Sequence, residues 1–385
     1  MSVSGIEREL NPFPWYQAMR QQAPVYYDRE RWTWNVFGYD DVQRTLSEYA
    51  TFSSQFHGSG GGDGSQPFAA SLIGTDPPRH RQLRSLVTQA FTPRAVDALA
   101  PRIAAIVDEL LDRGAAPGRL DAIRDFGDPL PVIVIAELLG IPAADRGRFK
   151  TWSDAVVSMS ETESAGGYEG AVREMSAYFL ALMEERRSKP AEDLISGLLA
   201  AEIDGQHLSR AEMLGFGSLL LVAGNETTTN LIGNALLCFV ERPELWARLR
   251  AERSLLPGAI EEVLRYRSPV QSMFRVTTTA ARLQNQTIPA GAFVVAWIGS
   301  ANHDERQFAD PERFDIERTP NRHLAFGQGI HYCLGAPLAR LETRIAMEAL
   351  LDRYSAIEQV AGQPLERLPS TIVYGLRNLP LRLNE

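Results

Sequence analysis

The stretch Phe326-Gly327-Gln328-Gly329-Ile330-His331-Tyr332-Cys333-Leu334-Gly335 decides how this chain reads. A single cysteine stands between glycines, two residues after a histidine, and a long helical pattern begins directly behind it. The segment lacks the Cys-x-x-Cys spacing of a zinc site or of covalent cofactor attachment. What fits is one thiolate ligand in a glycine-built loop. Gly327, Gly329 and Gly335 can adopt backbone angles that side chains resist, and they let a flat ligand approach the chain. A helix N-terminus expected at about Leu334 stabilises sulfur as thiolate. The competing reading of these ten residues is a buried structural cysteine after a glycine-rich turn.

The segment resembles the haem-ligand loop of the cytochrome P450 family. Phe326, Gly329, His331, Cys333 and Gly335 occupy every fixed position of the family pattern F-x-x-G-x-H-x-C-x-G. The resemblance implies haem b, with Cys333 as axial ligand to the iron and Phe326, Gly327, His331 and Gly335 around it. A thiolate in that place favours O–O cleavage.

At 385 residues, the chain is long enough for a large core. Hydrophobic residues at 44% and charged residues at 23% place it among ordinary globular proteins. The opening Met1-Ser2-Val3-Ser4 carries no secretory pattern, and no apolar run is long enough to span a bilayer, so a soluble cytoplasmic protein without a membrane anchor is expected. A formal charge of −9 argues against nucleic acid as a general partner. Cys238, in an apolar helical run, reads as core, and two cysteines cannot build a disulfide framework. Only Lys150 and Lys189 are lysines, an arginine bias in keeping with a GC-rich bacterial genome.

Hydrophobic periodicity predicts a mainly α protein with a smaller β part. Extended segments at Val25–Tyr27 and Trp32–Phe37 predict a hairpin. Residues 53–75 are rich in glycine and serine and read as a loop or lid. Helical patterns follow at Arg79–Ala90, Pro93–Arg113, Pro131–Leu139, Asp145–Ser160 and Tyr168–Arg187. Ser209 to about Glu241 reads as one long helix, with Ser209 and Glu212 forming a capping box. Further helices are expected at Pro257–Arg267 and Leu334–Tyr354, and extended chain between Arg275 and Trp297. No independent domain boundary stands out. The resemblance extends from about Asn11 to the C-terminus and implies a single haem domain over residues 1–385. It also implies the cytochrome P450 fold, with haem between the long central helix and the cysteine-loop helix.

Within the long helix lies Ala223-Gly224-Asn225-Glu226-Thr227-Thr228-Thr229. A helical glycine costs about 1 kcal/mol against alanine, and threonines that bond back to the preceding turn bend a helix, so a local opening is expected here. A kink beside a solvated glutamate would suffice. The segment also resembles the family's oxygen-activation motif, which implies that Thr227 holds dioxygen and a water while Glu226 relays protons.

In Glu261-Glu262-Val263-Leu264-Arg265, the family's E-x-x-R falls on Glu262 and Arg265, and Pro311-Glu312-Arg313-Phe314 resembles the source of a third charge. The resemblance implies a structural ion triad of Glu262, Arg265 and Arg313. His80 and Arg84, four apart on one helix face, match the family's H-x-x-x-R and imply propionate binding, as do Arg275 and His331. Surface salt bridges are the alternative for each. The resemblance implies Phe68, Leu72, Ile73, Leu220, Ala223, Val270, Met273, Ile372 and Val373 as lining a substrate pocket. All could equally be core. None is charged, which favours a lipophilic substrate.

The implied function is a haem-thiolate monooxygenase that uses dioxygen to hydroxylate or epoxidise a lipophilic small molecule such as a fatty acid, terpenoid, steroid or macrolide. With no flavin or nicotinamide segment in evidence, electrons are expected from a separate ferredoxin and ferredoxin reductase. Arg79, Arg81, Arg340 and Arg344 are candidates for a basic docking patch, the alternative being a solvated charged face. A peroxide-driven relative is disfavoured by the intact Glu226-Thr227 pair. A haem sensor or carrier without turnover would require signalling features the sequence does not supply.

Overall fold

A computed structural model describes residues 11–55, 71–88, 92–114, 118–157, 165–203 and 205–385. The aromatic and β-branched residues at 25–36 close the predicted hairpin. Val25–Asp28 pairs antiparallel with Thr33–Val36, with Val25 opposite Val36. The chain divides into two units. One comprises Met1–Ser54, Ala104–Gly127 and Thr227–Glu385, the other Gln55–Ile103 and Asp128–Glu226. Both are built from discontinuous segments.

The first unit holds a five-stranded sheet in the order Val25–Asp28, Thr33–Val36, Phe293–Ala296, Met273–Thr277, Phe52–Ser53. Phe293–Ala296 runs parallel to Thr33–Val36 and antiparallel to Met273–Thr277. Val36, Val42, Phe52, Val294 and Ile298 bury the core of this unit. Beside it the rings of Phe37 and Trp297 stack at 5.8 Å, and Tyr16 donates its hydroxyl to Gln271 Oε1 at 2.8 Å. A second sheet joins Ala356–Gln359, Pro380–Asn384 and Arg119–Asp121. Helices Leu256–Tyr266 and Ala336–Arg353 complete the frame that matters for the site.

Among the described residues, the second unit is helical apart from the small hairpin Glu202–Ile203 and Gln206–His207. Its helices include Arg79–Thr88, Pro129–Leu138, Arg146–Val157 and Ala165–Ser188. The single helix expected over Pro93–Arg113 is two, Pro93–Asp97 and Ala100–Gly114. Thr92 Oγ1 caps the first by accepting from the Ala95 N–H at 3.1 Å.

The long helix is Arg210–Val240. Its capping box forms as predicted. Glu212 Oε2 accepts from the Ser209 N–H at 2.9 Å, and Ser209 Oγ from the Glu212 N–H at 3.3 Å. The expected opening at residues 223–229 is absent, since the helix continues unbroken through them. Tertiary contacts account for the unusual composition. A Cβ on Gly224 would lie 2.9 Å from Ile135 Cδ1, so glycine admits a close neighbour. Thr229 Oγ1 donates to the buried Gly127 carbonyl at 3.0 Å instead of straining its own helix.

Candidate functional site

In the first unit, Gly327 and Gly329 both adopt positive φ, at 73° and 71°. A side chain at Gly329 would also meet Ser47 Cα at 2.8 Å. Gly335 differs from expectation, with an ordinary φ of −80°. A Cβ built there meets nothing within 4 Å, so this glycine marks open space beside the chain and not a strained turn. The Cys333 N–H donates to the Phe326 carbonyl at 2.8 Å, which closes the loop on itself. The Cys333 side chain is exposed. The following helix starts at Ala336, two residues later than expected, with Gly335 at its N-cap. The cysteine therefore sits just ahead of a helix N-terminus, where the macrodipole favours negative sulfur.

Arg275 is carried on the strand Met273–Thr277, paired with Val294 in the sheet and 3% exposed. Its Nη1 donates to the Phe274 carbonyl at 2.7 Å. His331 closes the short turn Gly329–His331, two residues before Cys333. This unit thus supplies an exposed thiol, an open face at Gly335, and an arginine and a histidine suited to carboxylates. That donor set fits a thiolate-ligated porphyrin with two propionates.

In the second unit, His80 and Arg84 occupy the helix Arg79–Thr88. His80 is buried, and burial, reinforced by the Arg84 charge and opposed by Asp76, lowers its pKa. Arg79 binds Glu212. Glu226 stands part-buried on the long helix in this unit, and Thr227, next along the same helix, begins the other.

The expected ion triad forms with one substitution of partner. Arg265 is fully buried and spends all five N–H groups. Nε and Nη2 donate to Glu262 at 2.8 Å each, and the rest go to the carbonyls of Asn302, Pro311 and Arg313. The second guanidinium on Glu262 belongs to Arg318, whose Nε lies 3.2 Å from both carboxylate oxygens. Arg313 offers Arg265 only its backbone carbonyl, and its side chain is exposed. The turn after Asp310 points the Arg313 carbonyl inward, and the chain brings Arg318 back to the carboxylate. Asn321 Nδ2 and the Asp315 N–H donate to the same carboxylate, so the buried charge is fully compensated.

A family model for cytochrome P450 matches residues 152–383. The putative cytochrome P450 YjiB of Bacillus subtilis is 42% identical over 97% of this chain and 94% of its own length. The chain belongs to the cytochrome P450 family. Cyclomarin C epoxidase CymV of Salinispora arenicola is 43% identical over 95% of this chain and 94% of its own. The crystal structure of CYP109E1 from Bacillus megaterium in complex with testosterone is 44% identical, covers 100% of both chains and superposes with a TM-score of 0.93. The expected fold is therefore the fold this P450 has. It is a monooxygenase of that family, and the family's cofactor is haem b bound through a cysteine thiolate. No described helix is long and apolar enough to cross a membrane.

Among the residues suggested for the P450's substrate pocket, Val270 and Val373 are joined by an antiparallel bridge in the first unit. Met273 packs partly against the core of the same unit, and Ile372 is exposed. Leu72 is buried in the second unit, where Ile73 and Ala223 are exposed and Leu220 is half-buried. Phe68 lies outside the described residues.

The expected basic patch is largely neutralised. Arg79, Arg340 and Arg344 are engaged by Glu212, Glu261 and Glu348 respectively, and of the four arginines only Arg81 has no ion pair among the described residues. Sequence reading missed both Arg318 and Glu261. For Glu261 the only local signal was its place beside Glu262.

Proposed function

We propose that the 385 residues form one haem domain of a soluble, cytoplasmic bacterial P450 in which Cys333 is the axial ligand. The observation that carries this reading is the exposed Cys333 thiol, tied by its own N–H to Phe326 and placed ahead of a helix N-terminus beside the open face at Gly335. Bound haem supplies reductive activation of dioxygen. Arg275 and His331 would hold its carboxylates, the role that the family pattern also gives His80 and Arg84. Thr227 orients the oxygen and a water by hydrogen bonds at its hydroxyl, and Glu226 passes solvent protons towards them.

The substrate is a lipophilic small molecule that is hydroxylated or epoxidised. The uncharged character of the pocket candidates supports this, as do two relatives: one a cyclomarin C epoxidase, the other crystallised with testosterone. Electrons come from a ferredoxin and its reductase. Purified protein, reduced and exposed to carbon monoxide, should show the red-shifted Soret band of thiolate-ligated haem, and Cys333→Ser should lose it. Retention of the band in that variant overturns the assignment. Titration with testosterone should produce a spin-state change in the haem spectrum, and a flat titration argues against a steroid substrate.

A further inference from the structure

Glu261, next to the triad glutamate, is the hub of a second and separate cluster in the first unit. Its Oε1 accepts from Arg340 Nε at 2.6 Å, and its Oε2 from Arg340 Nη2 at 2.8 Å. Oε2 also contacts His323 Nε2 at 3.1 Å. The tautomer of His323 follows from its other nitrogen. Nδ1 accepts from the Ala325 N–H at 3.2 Å, so Nε2 carries the proton and donates to Glu261. Burial pushes the Glu261 carboxyl up, but Arg340 and His323 outweigh it and bring it down to about 2, so it is ionised at neutral pH.

Both partners of this carboxylate flank one ring. The Arg340 guanidinium stands 4.4 Å from the centre of Phe326, and the His323 ring centre lies 6.2 Å from it. Arg340 Nη1 also reaches the Tyr332 hydroxyl at 3.5 Å. Phe326 is the residue whose carbonyl takes the Cys333 N–H. The chain of contacts therefore runs from the helix Leu256–Tyr266 through Glu261 to the helix Ala336–Arg353 at Arg340, and onto the two ends of the cysteine loop.

We infer that Glu261 is a positioning residue for the Cys333 thiolate. It fixes the Arg340 guanidinium on Phe326 and the His323 ring at the start of the loop, and so sets where the sulfur stands. The triad around Glu262 anchors the segment before the loop. Glu261 governs the loop itself. The inference rests on Cys333 being the iron ligand.

The test compares Glu261→Gln, Arg340→Lys and the control Arg344→Gln in haem-loaded protein. Gln keeps the shape of Glu261 but cannot take two charge-assisted bonds from one guanidinium. Lys keeps the charge at 340 but loses the fork and the flat face over Phe326. Arg344 lies on the same helix and, among the described residues, pairs only with the half-exposed Glu348. The readouts are the decay of the thiolate Soret band of the carbon monoxide complex at constant helicity, and the reduction potential of the iron. Glu261→Gln should lose the band on the order of tenfold faster, as loss of a charge-assisted hydrogen bond implies, with helicity unchanged over that interval. Its potential should shift. Arg340→Lys should move the same way, and Arg344→Gln should match the parent. If Glu261→Gln does not fold, Arg340→Lys decides. Parental decay and potential in the variants overturn the inference, as does loss of band and helicity together. If the parent itself shows no thiolate band, the assignment of Cys333 fails and the clamp falls with it.

Discussion

Arg79 grips Glu212 through two parallel bonds, Nε to Oε1 at 2.6 Å and Nη2 to Oε2 at 2.7 Å. The same carboxylate closes the capping box with Ser209. One glutamate thus ties the helix that bears His80 and Arg84 to the first turn of the long helix. That is a structural use for an arginine whose position suggested a docking role. Its geometry is the bidentate fork that makes arginine–carboxylate pairs specific.

Arg79→Ala should therefore cost stability more than partner affinity. The Arg79 side chain is 33% exposed, so solvent screens the pair and a loss of about 1 kcal/mol is expected. Denaturant unfolding of the variant measures it. If unfolding is unchanged while the rate of reduction by ferredoxin falls, the docking role stands and the clamp does not.

Arg318→Ala and Arg313→Ala should part company. Removing Arg318 strips one cation from a carboxylate with no exposed side-chain surface, and breaking a buried pair of this kind costs about 3 kcal/mol or more. Arg313→Ala deletes an exposed side chain, keeps the carbonyl that Arg265 uses, and should stay within about 0.5 kcal/mol. Thermal melts of the two variants decide, and equal losses would restore Arg313 to the triad.

The local patterns were legible because their physics is local. The capping box, the Glu262–Arg265 pair and the glycine-built cysteine loop each lie within a few residues, where helical spacing or a positive φ dictates the residue type. Arg318 meets Glu262 across 56 positions and Arg340 meets Glu261 across 79, and no spacing rule reaches that far. The helix Tyr39–Ser47 went unread for the same reason. Gly38 at its N-cap offers no side chain, and the Tyr39 N–H is instead taken by Asp304 Oδ2 at 2.7 Å, 265 positions away. The expected opening at Gly224 failed because the glycine and threonine serve Ile135 and Gly127, partners invisible in the helix's own sequence.

Glu342 should make stability fall as pH rises. It is wholly buried on the cysteine-loop helix, its Oε2 has no hydrogen-bond partner among the described residues, and burial raises its pKa to about 8. The unfolded chain releases this proton near the ordinary 4.5, so between about 4.5 and 8 the native state binds the extra proton. Stability from this group is thus lost across that window and levels off above it. Glu342→Gln removes the dependence. Its advantage over the parent should grow by about 4 kcal/mol from pH 5 to pH 8, since holding one extra proton is worth ~1.4 kcal/mol for each step of one in pH. Urea midpoints at several pH values give the two curves, and parallel curves would mean the group is ionised as usual.

Thr227 and Thr229 lie two residues apart on the long helix and should answer to different assays. Thr229 Oγ1 is spent on the buried Gly127 carbonyl, so Thr229→Ala leaves an acceptor unsatisfied and should cost about 1–2 kcal/mol of stability. Its product formed per nicotinamide oxidised should match the parent's. Thr227→Ala should show the reverse. Haem content and substrate-induced spectral change should persist, since neither depends on that hydroxyl in the proposed mechanism. Electrons should then escape to peroxide, because the oxygen loses the hydroxyl that orients it for protonation. Peroxide yield and product yield, measured on the same turnover mixture, separate the two. An unchanged product-to-nicotinamide ratio in Thr227→Ala would remove Thr227 from the proton path and leave Glu226 without the partner the mechanism gives it.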